Sequence, residues 1–310
     1  MKNNPHPEEE KKVKLPLNDE LEVRDLIKPI VVRRIRIAQF AGLILLILGI
    51  GVFIWIQFIK PPSGKRLVGN MIDAVGGAEA WNGVHGGSFQ RTHHLYDEKG
   101  KIIKEEHETF YFKNNPAGHQ LMIKSYTEEG YPVVVGSDEK GYWALLNDKP
   151  VDPHAIAKKM EFMCHEDKCV PLCASEMALY RFALPFKLTD YGVKPTNAGT
   201  TTLNGEKVYI LNVAFDPKVG HDRWVFYVDP ESKLTRKIEH YASEKGNEQP
   251  EEIFLSDYKK EGNIQISHSN KYYRSNGKIL EEYLISNVQF NPTYTADFFS
   301  RPNAISQIMK

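Results

Sequence analysis

KVYILNVAF (residues 207–215) and RWVFYV (223–228) alternate apolar and polar side chains, and the turn Asn204-Gly205 precedes the first of them. A period of two puts Tyr209, Leu211, Val213 and Phe215 on one side of a strand, and Trp224, Phe226 and Val228 on one side of the next. This is half-buried antiparallel sheet. The same grammar extends in both directions, because Asp97-Glu98-Lys99-Gly100, Glu128-Glu129-Gly130, Asp229-Pro230, Glu261-Gly262-Asn263 and Asn276-Gly277 separate runs rich in Tyr, Phe, Val and Ile. About eleven strands are expected between residue 88 and residue 290, the last with Leu280, Leu284, Val288 and Phe290 on its apolar side.

Helices to cover that sheet are few. Ser63 to Val75 places Leu67, Met71 and Val75 at helical spacing and stops at Gly76-Gly77. Asp152-Pro153 starts a second helix carrying Ile156, Met160 and Met163, and a third follows Pro171 with Leu172, Leu179 and Phe182. The expected fold is mainly β (α+β): a curved antiparallel half-barrel sheet covered by two or three helices. A curled sheet with so little helix to fill it leaves an apolar cavity. The residues expected to line it are Trp143, Leu145, Met160, Met163, Leu179, Phe182, Tyr209, Leu211, Trp224 and Phe226.

Upstream, residues 37–59 are 23 uncharged residues, IAQFAGLILLILGIGVFIWIQFI. As one helix they match the roughly 30 Å hydrocarbon core of a bilayer. Basic residues are denser before the run (Arg24, Lys28, Arg33, Arg34, Arg36) than after it (Lys60, Lys65, Arg66), which predicts a cytoplasmic N-terminus. The expected organisation is a polar cytoplasmic tail over 1–36, a single transmembrane helix over 37–59 and an exported domain over 60–310. That places the chain in a bacterial inner membrane with its body in the periplasm.

Residues 61–310 carry 30 Lys and Arg against 33 Asp and Glu, so nucleic acid is not an expected partner. The three cysteines, Cys164, Cys169 and Cys173, lie within MCHEDKCVPLC. An exported domain favours a local disulfide there. A metal held by Cys164, His165, Cys169 and Cys173 is the alternative, with a spacing unlike the two-knuckle zinc signatures.

Catalytic motifs are not found. His107-Glu108 and His165-Glu166 lack the second histidine of a zinc-protease helix, since Tyr111 and Cys169 stand in its place. His93 or His94 can share a sheet face with His107, and Glu105, Glu106 and Glu108 read as a solvated hairpin face.

The order of segments is informative beyond its periodicity. LYRFALPFKL (179–188), LNGEKVY (203–209), YVDPES (227–232), FLSDYKKEG (254–262) and NVQFN (287–291), with MIDAVGG (71–77) at the start, resemble the lipoprotein-localisation factor (LolA/LolB-like) superfamily over residues 65–300. The resemblance implies a curved half-barrel closed by helices and holding acyl chains or another apolar ligand, and it assigns no individual binding residue. The leading expectation is a membrane-anchored envelope protein, without cofactor or catalysis, that binds a lipid or lipoprotein acyl chain. An envelope protein-interaction or sensor module with a filled core is the alternative, and a metal-dependent enzyme using the Cys/His loop comes third.

Overall fold

The computed structural model describes residues 33, 38–53, 61–115, 118–138, 141–159, 173–242 and 249–300. The chain divides into two compact units, Met1–Pro61 and Pro62–Lys310. Within the first, residues 38–53 are helical. Among the described residues no helix is long and apolar enough to cross a membrane. This corrects the expected single-pass anchor over 37–59, and the inner-membrane placement and membrane partnership that rested on it. Residues 37 and 54–59, which completed the apolar run in the sequence, lie outside the described residues.

The second unit opens with helix α1 (Gly64–Ala74), which Ser63 caps by accepting the Arg66 N–H at 3.3 Å. A short α2 follows (Ala78–Asn82). Six strands then form a meander: β1 (Gly86–Tyr96), β2 (Ile102–Asn115), β3 (Gly118–Tyr126), β4 (Pro132–Asp138), β5 (Gly141–Leu146) and β6 (Lys149–Val151). Helices α3 (Pro153–Lys159) and α4 (Cys173–Phe182) and a 3-10 turn (Phe186–Thr189) lead to a second meander. It comprises β7 (Val193–Leu203), β8 (Glu206–Phe215), β9 (Arg223–Val228), β10 (Thr235–Tyr241), β11 (Glu251–Glu261), β12 (Ile264–Tyr273) and β13 (Ile279–Phe290).

The two meanders join through the antiparallel pair β1 and β13, giving one 13-stranded sheet in the order β6-β5-β4-β3-β2-β1-β13-β12-β11-β10-β9-β8-β7. The half-barrel of about eleven strands is therefore corrected to a larger sheet that does not close, with β6 and β7 as its two edges. Part of the undercount is β6, three residues (KPV) too short to show alternation.

Both edges are blunted. β6 is only three residues long and contains Pro150. On β7, Pro195 offers no N–H, the register slips between Asn197 and Gly199, and Gly64 at the start of α1 lies so close to the Pro195 carbonyl that a side chain there would collide with it. Asn197 Nδ2 also donates to the Pro62 carbonyl at 2.6 Å. These are standard devices against edge-to-edge pairing, and they weigh against a partner adding itself as a strand.

The main core lies on the helix-covered face. Leu67, Met71 and Ile72 of α1, Leu179 of α4, and Phe186 and Leu188 of the 3-10 turn meet Phe89, Phe110, Phe112, Leu121, Ile123, Leu211, Val213, Trp224, Phe226 and Ile238 from the strands. A smaller core sits on the other side of β3–β5, where Met122, Val134, Trp143 and Leu145 are covered by Phe299, with Tyr294 and Phe298 beside it.

Candidate functional site

The helix-covered face of the sheet has two halves. At one end it is aromatic. Phe89 of β1 stands opposite Phe110 of β2, their rings stacked at 4.7 Å, and Phe182 at the end of α4 lies flat on Phe89 at 4.3 Å. Phe112 and Phe290 close on Phe182 at 6.1 and 6.3 Å. Helix α4 thus sets its last aromatic ring against the sheet.

Two residues further along β1 and β2 the chemistry changes. Arg91 pairs with Glu108 at 2.6 Å, its guanidinium lying over Phe110 at 4.8 Å and Tyr283 at 4.5 Å. Beyond it, His93 bridges two carboxylates from the neighbouring strands, with Nδ1 3.0 Å from Glu106 and Nε2 2.8 Å from Glu281. Burial opposes charge on this imidazole, but the bonds to Glu106 and Glu281 outweigh it and push its pKa up to about 9. Glu106 is held below the usual carboxylate range, chiefly by its bond to His93. The Tyr283 hydroxyl donates to Glu281 at 3.1 Å.

A second group of the same design occupies β9–β12. Arg181, the residue before Phe182, donates through Nη1 to the Tyr272 hydroxyl at 2.8 Å and through Nη2 to Glu251 at 2.6 Å. His240 lies between Asp222 at 3.0 Å and Glu251 at 3.5 Å. Burial lowers the His240 pKa, yet its two carboxylate partners leave it raised overall. Burial likewise works against the charge of Glu251, and His240 and Arg181 more than compensate, lowering its pKa. Tyr272 meets Tyr283 edge to face at 5.3 Å, which joins the two groups. Where the sheet's end emerges from the apolar core, then, two imidazoles and two guanidiniums are matched to five carboxylates in a continuous polar row.

Most of this row was illegible as a site in the sequence. Glu105, Glu106 and Glu108 were expected on a solvated face, but Glu108 is only 8% exposed. The signal was present: Glu106 and Glu108 share the parity of Phe110, so burial of that phenylalanine carries them inward.

Of the residues expected around a cavity, Leu179, Leu211, Trp224 and Phe226 are buried in the main core, and Phe182 and Tyr209 pack against it. Trp143 and Leu145 are not with them, for they belong to the small core on the opposite face. Met160 and Met163 lie outside the described residues, as do Cys164, His165 and Cys169, while Cys173 begins α4. Apart from Cys173, the expected disulfide and metal ligands therefore lie outside the described residues. His94 and His107 do converge, both on Glu105, at 3.0 and 3.2 Å. Among the described residues no group of three or more His, Cys, Asp or Glu side chains is arranged to hold a metal ion.

Those of the expected lining residues that lie on the helix-covered face pack on one another, and Phe182 is stacked on Phe89.

Comparison with known proteins agrees with the architecture. The sequence model of a family of unknown function, DUF6503, matches residues 157–281, less than half of the chain. No curated protein matches it. Among solved structures, a DUF1329 family protein from Desulfovibrio piger is similar over 76% of this chain and 97% of its own, at 13% identity and a TM-score of 0.49. A LolA superfamily protein from Nitrosomonas europaea is similar over 77% of this chain and 98% of its own, at 9% identity and a TM-score of 0.51. At that identity the likeness is one of fold, a remote structural resemblance to the LolA superfamily.

Proposed function

We propose that the unit Pro62–Lys310 is an interaction or sensor module of the cell envelope, with a core filled by its own side chains and no chemistry of its own. One observation carries this reading: Phe182 at the end of α4 is stacked on Phe89 of the sheet at 4.3 Å, a contact that a lipid entering beneath that helix would have to displace. The polar row beside it is largely buried, with Tyr272, Glu281 and Glu108 all less than a tenth exposed, and it fastens Arg181 of α4 to the sheet. The envelope setting is supported by the LolA-superfamily fold and by the segment pattern that resembles that family. With both sheet edges blunted, contact is expected through faces and turns.

Native mass spectrometry of the protein purified without detergent tests the filled core. The expected result is the mass of the bare chain and no binding of a fluorescent fatty-acid probe. Phe182→Ala is expected to admit that probe, because it opens a space lined by Phe89, Phe112 and Phe290. A wild-type chain that carries stoichiometric lipid, or binds the probe as well as the variant does, overturns the reading.

A further inference from the structure

The sheet face away from the helices carries charged pairs along β1, β2 and β10. His94 meets Glu105 at 3.0 Å, and Lys237 reaches Glu239 at 2.8 Å. Over β3–β5 the same face turns apolar, with Met122, Val134, Trp143 and Leu145 side by side. This patch has a prepared floor, because Gly136 of β4 carries no side chain and a Cβ there would stand 2.3 Å from the Trp143 indole.

The patch is covered by the segment that follows β13. Asn291 is the pivot of that segment: its φ is 55°, its N–H donates to the Gly86 carbonyl at 2.8 Å, and its side chain accepts the His85 N–H at 2.7 Å and donates to the Gly83 carbonyl at 2.8 Å. Beyond it, residues 292–300 add no strand to the sheet. The backbone bonds from the Phe298 N–H to Thr295 and from the Ser300 N–H to Asp297 are internal to the segment. Its rings supply the grip. Phe299 is buried in the patch, Phe298 stacks on Tyr294 at 4.5 Å and meets Tyr111 of β2 at 5.4 Å, and the Tyr294 hydroxyl donates to the Gly87 carbonyl at 2.6 Å. A strap pinned at one end and held elsewhere by side chains can lift without breaking a strand ladder.

The strap leaves one group unanswered. Trp143 is 1% exposed, and its Nε1 has no hydrogen-bond partner among the described residues. A buried indole N–H ordinarily finds an acceptor, and leaving it without one costs free energy. An occupant with the strap's rings that also brought a carbonyl oxygen to Nε1 would bind the patch better than the strap does.

We propose that the apolar patch over β3–β5 is the docking site for an aromatic peptide segment of a partner protein, which supplies that acceptor, and that the C-terminal strap is its resident competitor. This rests on the interaction reading above and names the surface it uses and the chemistry of the partner.

The test uses the full chain and a fluorescein-labelled peptide with the sequence of residues 292–300, read by fluorescence anisotropy. Phe298→Ala loosens the strap and leaves Phe299 in place, so it should bind the peptide about tenfold more tightly than the wild type, whose own strap competes. Tyr294→Phe keeps the ring and loses only the bond to Gly87, so its gain should be about fivefold. Equal affinity in all three chains, or no binding to any, overturns the proposal. In the protein's own cells, a photo-crosslinking amino acid at Tyr111 should give one protein adduct, in higher yield with Phe298→Ala, and none at the exposed Thr200 of the far edge. An unchanged yield, no adduct, or an adduct with a second copy of this chain overturns it as well. When the partner so recovered is added to the isotope-labelled chain, the indole N–H resonance of Trp143, assigned by its loss in Trp143→Phe, should move downfield as it gains an acceptor; an unmoved resonance counts against the proposal in the same way. Stoichiometric lipid in the native mass spectrum would sink the filled-core reading without touching the peptide competition, so the two failures are distinct.

Discussion

Arg181 and Phe182 are adjacent on one helix and reach opposite halves of one sheet face. Phe182 enters a stack of phenylalanines, whereas Arg181 enters a row of carboxylates, tyrosines and imidazoles. The apolar half is held by shape and removal from water, which do not vary across ordinary pH and do not tolerate missing volume. The polar half is held by directional, charge-assisted bonds that can be titrated away. A single helix is thus fastened in two ways, and substitutions can separate them.

The largest effect is expected at Phe182. Phe182→Ala removes the ring from between Phe89, Phe112 and Phe290, and should lower unfolding free energy by about 3 kcal/mol or more in urea denaturation. Phe182→Leu should cost about 1–2 kcal/mol, since much of the volume remains. A cost below about 1 kcal/mol for the alanine variant would mean the helix lies loosely over space, and the contrast between the halves would fail.

On the polar side, Arg181→Ala leaves Glu251 without its closest cation and should cost about 2 kcal/mol. Adding Glu251→Gln removes the stranded charge and should recover part of that loss. Strict additivity of the two substitutions would show that the pair is not coupled.

The pH dependence separates the halves most cleanly. His93 has a folded-state pKa of about 9 against an ordinary value of 6.5, so between those values the folded state binds more protons than the unfolded one. Its contribution is complete below pH 6.5 and is lost as pH rises towards 9. Glu106 and Glu251 run the other way. Their lowered pKa values contribute fully above the ordinary 4.5 and are lost as pH falls below it. The polar half is therefore expected to be strongest between pH 4.5 and 6.5. Denaturation midpoints measured between pH 6.5 and 9 should fall in the wild type, and His93→Gln should flatten that slope by roughly 1 kcal/mol over the window. Parallel slopes would remove His93 from the account.

Much of the sheet was readable because its strands alternate: Arg223–Val228 and Ile279–Phe290 have the bounds the sequence suggests. The interior of β13 was not. Leu280 and Leu284 were placed on the apolar side with Val288 and Phe290, yet Tyr283 and Ile285 are the residues that face the core there. The pairing of β1 with β13 slips between Ser88 and Gln90, and Asn287 has a φ of 51°. One extra residue switches the face of everything before it. A bulge carried by asparagine leaves little mark on a hydropathy pattern. The polar row was hidden for a related reason, since charged residues on a strand read as solvent-facing until their partners on distant strands are known. His93 and Glu281 are 188 positions apart.

The smallest predicted effect is the most selective. Tyr272 touches both themes: its hydroxyl accepts from Arg181 at 2.8 Å, its ring lies 5.4 Å from the same guanidinium, and it meets Tyr283 edge to face. Tyr272→Phe keeps the ring and removes only the acceptor, so the expected cost is about 1 kcal/mol. Because Tyr272 bonds neither His93 nor His240, the pH slope should stay as in the wild type. If that slope changes, the two carboxylate groups communicate through Tyr272 and Tyr283, and the polar half is one cooperative unit. If stability is unchanged, Arg181 is held by Glu251 alone and the ring serves only as packing.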